Sequence, residues 1–306
     1  MSLLASLFKD IFAHRNESVD SPMKIARTPD SFYDAGKERL DSGDISGAQA
    51  IYSEFFDAFP GHPKVTDLQA YLHHVMLQKH FAGPIYLDWL NWFQTGLKPG
   101  TYVEIGVENG KSLQYARPPT RAIGIDPAIA IAYSQEAWVK LFKLPSDDFF
   151  RQHNLHDVFG GAHVDLAFID GLHTFDQALK DFINIERYST PTSVVLFHDI
   201  LPVIPVTALR ERETTFWLGD TWKAIAILIK HRPDLKVFTI PTYPSGLTVV
   251  TDLDAKNSSL GRDFDRICEE TMALDLESCM PTMATILNTV PNDFESVKRL
   301  LETPKK

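Results

Sequence analysis

Acidic residues and glycines alternate in the segment Val103 to Ser112, which reads VEIGVENGKS. Glu104 lies near the end of an apolar run that predicts a β-strand. Gly106 and Gly110 follow in a turn, where the missing side chains let a ligand approach the backbone. A second apolar run ends in acid at Asp126, roughly 20 residues later, as in a nucleotide-binding α/β half whose second acid binds ribose hydroxyls. A turn-capping aspartate is the alternative interpretation of Asp126.

Two more acids follow apolar runs, in the sequences FIDGLH and FHDI, as Asp170 and Asp199. Since adjacent parallel strands end at the same edge of a sheet, both carboxylates are expected in one crevice, where hard oxygen ligands select a divalent cation. We expect magnesium, with manganese as the alternative, and His198 as a third ligand. An imidazole ligand would shift the preference toward manganese, iron or zinc.

The elements that must position these residues alternate between strands and helices after Gly100, which predicts a mainly parallel sheet covered on both faces. A turn of six residues, Pro241 to Gly246, is too short for a crossover helix and predicts that the seventh strand is antiparallel to its neighbour. We also expect a helix to begin directly after the glycine turn. Helices are predicted at Thr174 to Tyr188 and Trp222 to His231. The predicted strands are Tyr102 to Val107, Ala122 to Ile125, Leu141 to Leu144, Val164 to Ile169, Val194 to Phe197, Lys236 to Ile240 and Leu247 to Val250.

Four regions are predicted along the chain. Residues 1–30 hold an amphipathic helix and a linker, and residues 31–98 form a helical cap. Within that cap, two short helices around Ser42-Gly43-Asp44 resemble one tetratricopeptide repeat, although no second copy follows. Residues 99–255 form the α/β core, and residues 256–306 form a C-terminal helical extension.

Composition limits the partners and the compartment. A formal charge of −10 argues against a nucleic-acid partner, because phosphate binding needs clustered Lys and Arg. Two cysteines, Cys268 and Cys279, imply no disulfide framework and favour a reducing compartment. The opening segment is too short and too charged for a secretory signal or a membrane span. We therefore expect a cytoplasmic protein, and the apolar face of the opening helix would allow self-association into a homo-oligomer.

Taken in order, VEIGVENG, GIDP, FIDGLH and FHDI at four strand ends resemble the class I S-adenosylmethionine-dependent methyltransferases, over about Gly100 to Asp254. The resemblance implies a Rossmann-like sheet of seven strands, mostly parallel with an antiparallel final strand. It also implies a set of cofactor-binding residues. After the third strand, where the family places adenine contacts, helix capping is an equal alternative for the two aspartates. The implied cofactor-binding set is Glu104, Gly106, Gly110, Ser112, Asp126, Asp147 and Asp148.

Within that class, FIDGLH and FHDI look most like small-molecule O-methyltransferases of the macrolide-sugar and catechol types. The likeness implies metal-assisted methylation of a hydroxyl on a small-molecule or carbohydrate acceptor, with Asp170 and His173 catalytic. In the macrolide-sugar enzymes the Asp-x-x-His spacing supplies the general base. Capping a helix or orienting Asp170 is the alternative role for His173. Aromatic residues at Trp217, Trp222 and Tyr243, with Pro244, could form the acceptor mouth or belong to the core.

Two other classes compete with the methyltransferase interpretation. Gly110-Lys111-Ser112 mimics a phosphate-binding loop, but Gly106 and Gly110 are separated by three residues where that motif needs four. A non-catalytic scaffold on the same fold is the second alternative, since fold does not determine function.

Overall fold

The computed structural model describes residues 27–303, so the predicted opening helix and most of the linker lie outside the described residues. The chain divides between Leu68 and Gln69 into two compact units. In the first unit, two helices flank Ser42-Gly43-Asp44 as predicted, and the Asp44 side chain accepts the Gly47 N–H at 2.9 Å to cap the second helix. The likeness to a tetratricopeptide repeat stays a prediction.

The strands are β1 (Thr101–Ile105), β2 (Arg121–Ile125), β3 (Trp138–Phe142), β4 (Val164–Ile169), β5 (Ser189–His198), β6 (Lys236–Ile240) and β7 (Leu247–Thr251). The helices are α1 (Pro29–Asp41), α2 (Ile45–Ala58), α3 (Pro63–His80), α4 (Tyr86–Leu97), α5 (Ser146–Gln152), α6 (Leu155–Val158), α7 (Phe175–Glu186), α8 (Trp222–His231), α9 (Ser259–Arg262), α10 (Phe264–Met272), α11 (Leu276–Cys279), α12 (Met283–Ile286) and α13 (Phe294–Glu302).

The strands form one seven-stranded sheet in the order β3-β2-β1-β4-β5-β7-β6. Strands β1 to β5 pair in parallel, and β7 runs antiparallel to both β5 and β6. The predicted fold class is confirmed for the sheet, including the antiparallel last strand. Because β2, β1, β4 and β5 are neighbours, their carboxyl ends meet at one edge, which is where the candidate site lies.

Apolar side chains cover the sheet, and for this reason the hydrophobic periodicity of the sequence predicted the strands and helices well. On α7 the buried positions Phe175, Leu179 and Phe182 recur at helical spacing and fix this helix against the sheet. Helix α4 also packs against the sheet, because Trp89 and Phe93 are completely buried in a hydrophobic cluster that contains sheet residues. Among residues 27–303, no helix is long and apolar enough to cross a lipid bilayer.

The expected helix after the glycine turn is wrong. Only a single 3₁₀ turn, Leu113–Tyr115, follows β1, and the chain then passes through Pro118-Pro119 into β2. Proline cannot donate the backbone hydrogen bond of a helix interior and pushes the preceding residue toward extended conformations. The prediction missed this signal. The third strand also begins three residues earlier than predicted, at Trp138.

Candidate functional site

The glycine turn follows β1 and contacts the ends of β2 and β4. Gly106 has a φ of +89°, and its N–H donates to the Ile125 carbonyl of β2 at 2.9 Å. A Cβ atom on Gly106 would lie 1.8 Å from the carbonyl oxygen of Asp170, so only glycine fits between β1 and the end of β4. Gly110, with a φ of +79°, is covered by Gln135, whose amide donates to the Gly110 carbonyl at 3.1 Å.

Glu104 is completely buried below this turn, and both of its carboxyl oxygens have internal partners. The Tyr102 hydroxyl donates to one oxygen and the Ser112 hydroxyl to the other, each at 2.6 Å. Burial raises the pKa of Glu104 to about 8, against the lowering effect of these two hydrogen bonds. Glu104 is therefore mainly neutral at pH 7, and in this form its own proton is donated to one of the two hydroxyl oxygens.

Asp126 lies directly after β2, half-buried. Its carboxylate accepts the N–H of Glu108 at 2.9 Å and the N–H of Ala128 at 2.6 Å. The turn-capping interpretation therefore accounts for two of its contacts, and the first of them holds the glycine turn. A carboxylate offers about four lone-pair positions, so ribose binding remains a prediction.

Asp147 and Asp148 lie in the first turn of α5, and Pro145 occupies the N-cap position. Asp147 accepts a hydrogen bond from the Gln177 amide at 3.0 Å, while Asp148 pairs with Arg151 within the helix. Neither aspartate serves as the N-cap, although acids in a first turn interact favourably with the helix dipole. Adenine contact stays a prediction for both.

Two aspartates and two histidines meet at the ends of β4 and β5. His173 Nε2 lies 3.1 Å from Asp199 Oδ2 and 3.6 Å from Asp170 Oδ1. His198 Nδ1 lies 3.2 Å from Asp170 Oδ1 and 3.5 Å from Asp199 Oδ1. The strand-end carboxylates thus converge, with an imidazole on each side.

The proton positions in this cluster follow from the partners of His173. Its Nδ1 lies 2.8 Å from the carbonyl oxygen of Trp217, which can only accept, so Nδ1 carries a proton. Nε2 then faces carboxylate oxygens and needs a cation between them, either its own proton or a metal ion. Burial alone would lower the pKa of the His173 ring, but the charges of Asp199 and Asp170 outweigh burial and raise the pKa to about 9.

The pKa of the His198 ring is raised for the same reason, although this ring is more deeply buried. Burial would lower the pKa of its ring, yet the charges of Asp170 and Asp199 raise it to about 10. For Asp170, burial acts in the opposite direction, and the charged His198 ring and the hydrogen bond from His173 hold its pKa well below the ordinary range. Without a metal ion the cluster is two ion pairs at neutral pH.

Neighbouring residues that the sequence reasoning missed complete the cluster. The Tyr86 ring lies against His198 with a centroid distance of 4.3 Å, and the Ser245 hydroxyl donates to Asp199 Oδ1 at 2.5 Å. Both come from distant segments, α4 and the β6–β7 loop, and carry no motif. Trp217, one of the expected mouth residues, stacks on His173 at a centroid distance of 5.3 Å. Trp222, another of them, is only 1% exposed and belongs to the core.

The donor atoms suit a divalent cation. One ligand atom from each of Asp170, His173 and Asp199 lies within 4.8 Å of the others. Within residues 27–303 no other group of His, Cys, Asp and Glu residues meets this criterion. Two carboxylates and an imidazole are ligands that magnesium or manganese can accept.

The seven-stranded sheet with an antiparallel last strand and acids at its adjacent strand ends defines the class I methyltransferase architecture. In agreement, residues 103–200 match the family model described as a methyltransferase domain, which confirms the family resemblance for that segment. Over residues 103–200 the chain is therefore similar to methyltransferase domains. No curated protein matches the sequence.

Solved structures of methyltransferases are similar to this chain at low identity. They include the O-methyltransferase TomG of Streptomyces achromogenes, involved in tomaymycin synthesis and solved with S-adenosylmethionine, at 16% identity and a TM-score of 0.43, covering 67% of this chain and 96% of that one. An O-methyltransferase of Bacillus cereus with S-adenosylhomocysteine matches at 13% identity and a TM-score of 0.40, covering 66% and 97%. The methyltransferase PaMTH1 of Podospora anserina, also with S-adenosylhomocysteine, matches at 13% and 0.42, covering 77% and 100%. Likenesses this distant assign no activity or substrate.

Proposed function

We propose that the protein transfers a methyl group from S-adenosylmethionine to a hydroxyl of a small-molecule acceptor, with help from a divalent cation. The proposal rests on one observation: the glycine turn and the cluster of carboxylates and imidazoles lie next to each other. The glycine turn touches the backbone of Asp170, and Asp170 is part of the cluster of two carboxylates and two imidazoles. S-adenosylmethionine bound at the turn would therefore lie next to the groups that are able to activate a hydroxyl.

Three features of the turn support cofactor binding. Gly106 and Gly110 bring backbone to the edge of the sheet without side chains, and Asp126 presents a half-buried carboxylate at the end of β2. S-adenosylmethionine, when bound, supplies an electrophilic methyl group on its sulfonium. Because Glu104 is neutral and already bonded to two hydroxyls, we assign it to supporting the turn rather than to contacting the cofactor.

The cluster at β4 and β5 supports a metal-assisted reaction. We assign Asp170 and Asp199 as ligands and keep His173 Nε2, the third donor atom of the group, for proton transfer. We propose that His198, as an imidazolium, fixes the position of these two carboxylates, in place of the ligand role that the sequence predicted. A divalent cation there would supply Lewis acidity toward the acceptor hydroxyl and would neutralise the carboxylate charge that keeps His173 protonated.

His173 is the proposed general base. Its Nδ1 stays fixed on the Trp217 carbonyl, which leaves Nε2 as the atom that takes the acceptor proton. Nε2 can accept that proton only after it has lost its own. At neutral pH this requires the divalent cation, because the negative charge of the neighbouring carboxylates otherwise keeps the ring protonated. Trp217, stacked on His173, and Tyr86, tilted against His198, give an aromatic border that would pack a ring or a sugar face.

The phosphate-binding alternative is disfavoured by the turn itself. A phosphate-binding loop leads into an α-helix whose first N–H groups hold the phosphate. Here the turn leads into a 3₁₀ turn of three residues, Leu113–Tyr115.

Calorimetry with S-adenosylmethionine and with ATP, followed by a transfer assay, tests the proposal. The assay measures S-adenosylhomocysteine released with a panel of phenolic and sugar hydroxyl acceptors, with and without a chelator. We expect binding of S-adenosylmethionine but not ATP, and turnover that the chelator removes. Cofactor binding without turnover on any acceptor would favour the non-catalytic scaffold, and failure to bind the cofactor would refute the proposal.

A further inference from the structure

The turn after β5 is held by one residue of the β6–β7 loop. Asp199 has a φ of +56°, in the left-handed region, so the chain reverses at the residue that carries the carboxylate. The carbonyl of Ser245 accepts the next two N–H groups, from Ile200 at 2.9 Å and from Leu201 at 2.6 Å. The hydroxyl of the same residue donates to Asp199 Oδ1 at 2.5 Å. Ser245 thus contacts both the backbone and the side chain of this turn.

The loop that carries Ser245 is packed closely enough to act as a fixed support. Ser245 is 0% exposed. Its neighbour Gly246 has a φ of +79°, and a Cβ atom there would lie 2.7 Å from Leu201 Cβ. The Gly246 N–H also donates to the Thr242 carbonyl at 2.8 Å, which closes the loop on itself.

The hydroxyl of Ser245 determines which way the Asp199 carboxylate faces. With Oδ1 occupied by the hydroxyl, Oδ2 is the oxygen that lies 3.1 Å from His173 Nε2. On its other side the Ser245 oxygen lies 3.4 Å from His198 Nε2, which can donate to it while Nδ1 faces Asp170. A chain of hydrogen bonds therefore runs from the imidazolium through the hydroxyl to the carboxylate.

We propose that Ser245 is a positioning residue, which holds the Asp199 carboxylate so that one oxygen remains directed at His173 and at a bound divalent cation. The role toward the cation rests on the proposed function, whereas the role toward His173 does not. Outer-layer partners of metal-ligating carboxylates commonly change metal affinity about 10- to 100-fold when removed. An effect of this size is expected here because the only other contact of Asp199 Oδ1 among the described side chains is the longer ion pair with His198 Nδ1, at 3.5 Å.

Thr242 offers a matched control on the same loop. It is also 0% exposed, and its hydroxyl donates to the Pro84 carbonyl at 2.6 Å instead of to the site. The Pro84 carbonyl keeps a second donor, the Asn292 amide at 3.0 Å, so removal of the Thr242 hydroxyl leaves no buried acceptor unpaired. A general loosening of the loop would affect both variants, but a positioning role affects only Ser245.

The experiment compares Ser245→Ala, Ser245→Thr and Thr242→Val in the full chain. Mn²⁺ affinity is measured by calorimetry, and the metal-free crystal structures give the distance between Asp199 Oδ2 and His173 Nε2. We expect Ser245→Ala to weaken Mn²⁺ binding about 10-fold or more and to move the carboxylate away from His173. Ser245→Thr should restore most of the affinity because it keeps the hydroxyl, and Thr242→Val should stay within about twofold of the wild type.

Unchanged Mn²⁺ affinity and an unmoved carboxylate in Ser245→Ala would overturn the inference, as would equal losses in Thr242→Val. If the wild-type protein binds no Mn²⁺, the metal part of the proposed function fails. The metal-free structures then decide the role of Ser245 alone: a displaced carboxylate supports it and an unmoved one refutes it.

Discussion

Ionisation of Glu104 should make the protein less stable as the pH rises. Its side chain is completely buried, and its pKa is about 8 in the folded chain against 4.5 for the ordinary group. The folded state therefore holds the proton more tightly than the unfolded state. Stability from this residue is fully present below about pH 4.5 and is lost as the pH rises toward about 8.

The size of the effect follows from the same shift. A difference of roughly 3.5 pKa units is about 5 kcal/mol at 1.36 kcal/mol per unit once both states are ionised. Between pH 5 and pH 8 the loss should be roughly 3 to 4 kcal/mol. The variant Glu104→Gln keeps the shape and one acceptor oxygen but cannot ionise, so this part of the pH dependence should disappear.

Urea unfolding of both proteins at pH 5, 6.5 and 8 measures the effect. The informative quantity is the difference in free energy of unfolding between wild type and Glu104→Gln, because other titrating groups are common to both. A constant offset reflects the changed hydrogen bonds with Tyr102 and Ser112, whereas a difference that grows with pH reflects ionisation. If the two stability curves stay parallel within about 1 kcal/mol, Glu104 does not carry the proton and the reasoning is refuted.

Other predictions test the turn and the cluster. Gly106→Ala should lower the free energy of unfolding by about 3 kcal/mol or more, because the new Cβ would meet the Asp170 backbone and the φ is positive. Gly96→Ala in α4 is the control: the position has open space, so the variant should be neutral or slightly stabilising. Similar melting temperatures for the two variants would contradict this prediction. Asp126→Ala should weaken S-adenosylmethionine binding about 10-fold in calorimetry, and unchanged affinity would remove the ribose role. His173→Gln should lower kcat by about 100-fold or more with little change in cofactor affinity, and equal kcat values in the two proteins would exclude it as the base.

Hydrophobic periodicity was sufficient to predict much of the fold. The sequence placed β4, β6 and α8 at the bounds seen in the structure and indicated the antiparallel last strand from the short Pro241 to Gly246 turn. Burial on both faces makes a parallel strand a continuous apolar run, and this signal is local. The helix expected after the glycine turn failed because Pro118-Pro119 outweighed the likeness to related turns.

For the site, the sequence by itself determined which chemical groups end the strands: Asp126, Asp170 and Asp199, with His173 three residues after one of them. Their convergence could be predicted because neighbouring parallel strands end at the same edge. Only the tertiary structure decided how these groups are held, since Tyr86 and Ser245 come from α4 and a hairpin loop far along the chain. It also decided that Glu104 is neutral, because a carboxyl group's charge depends on the burial and hydrogen bonds around it, which no local pattern of residues contains.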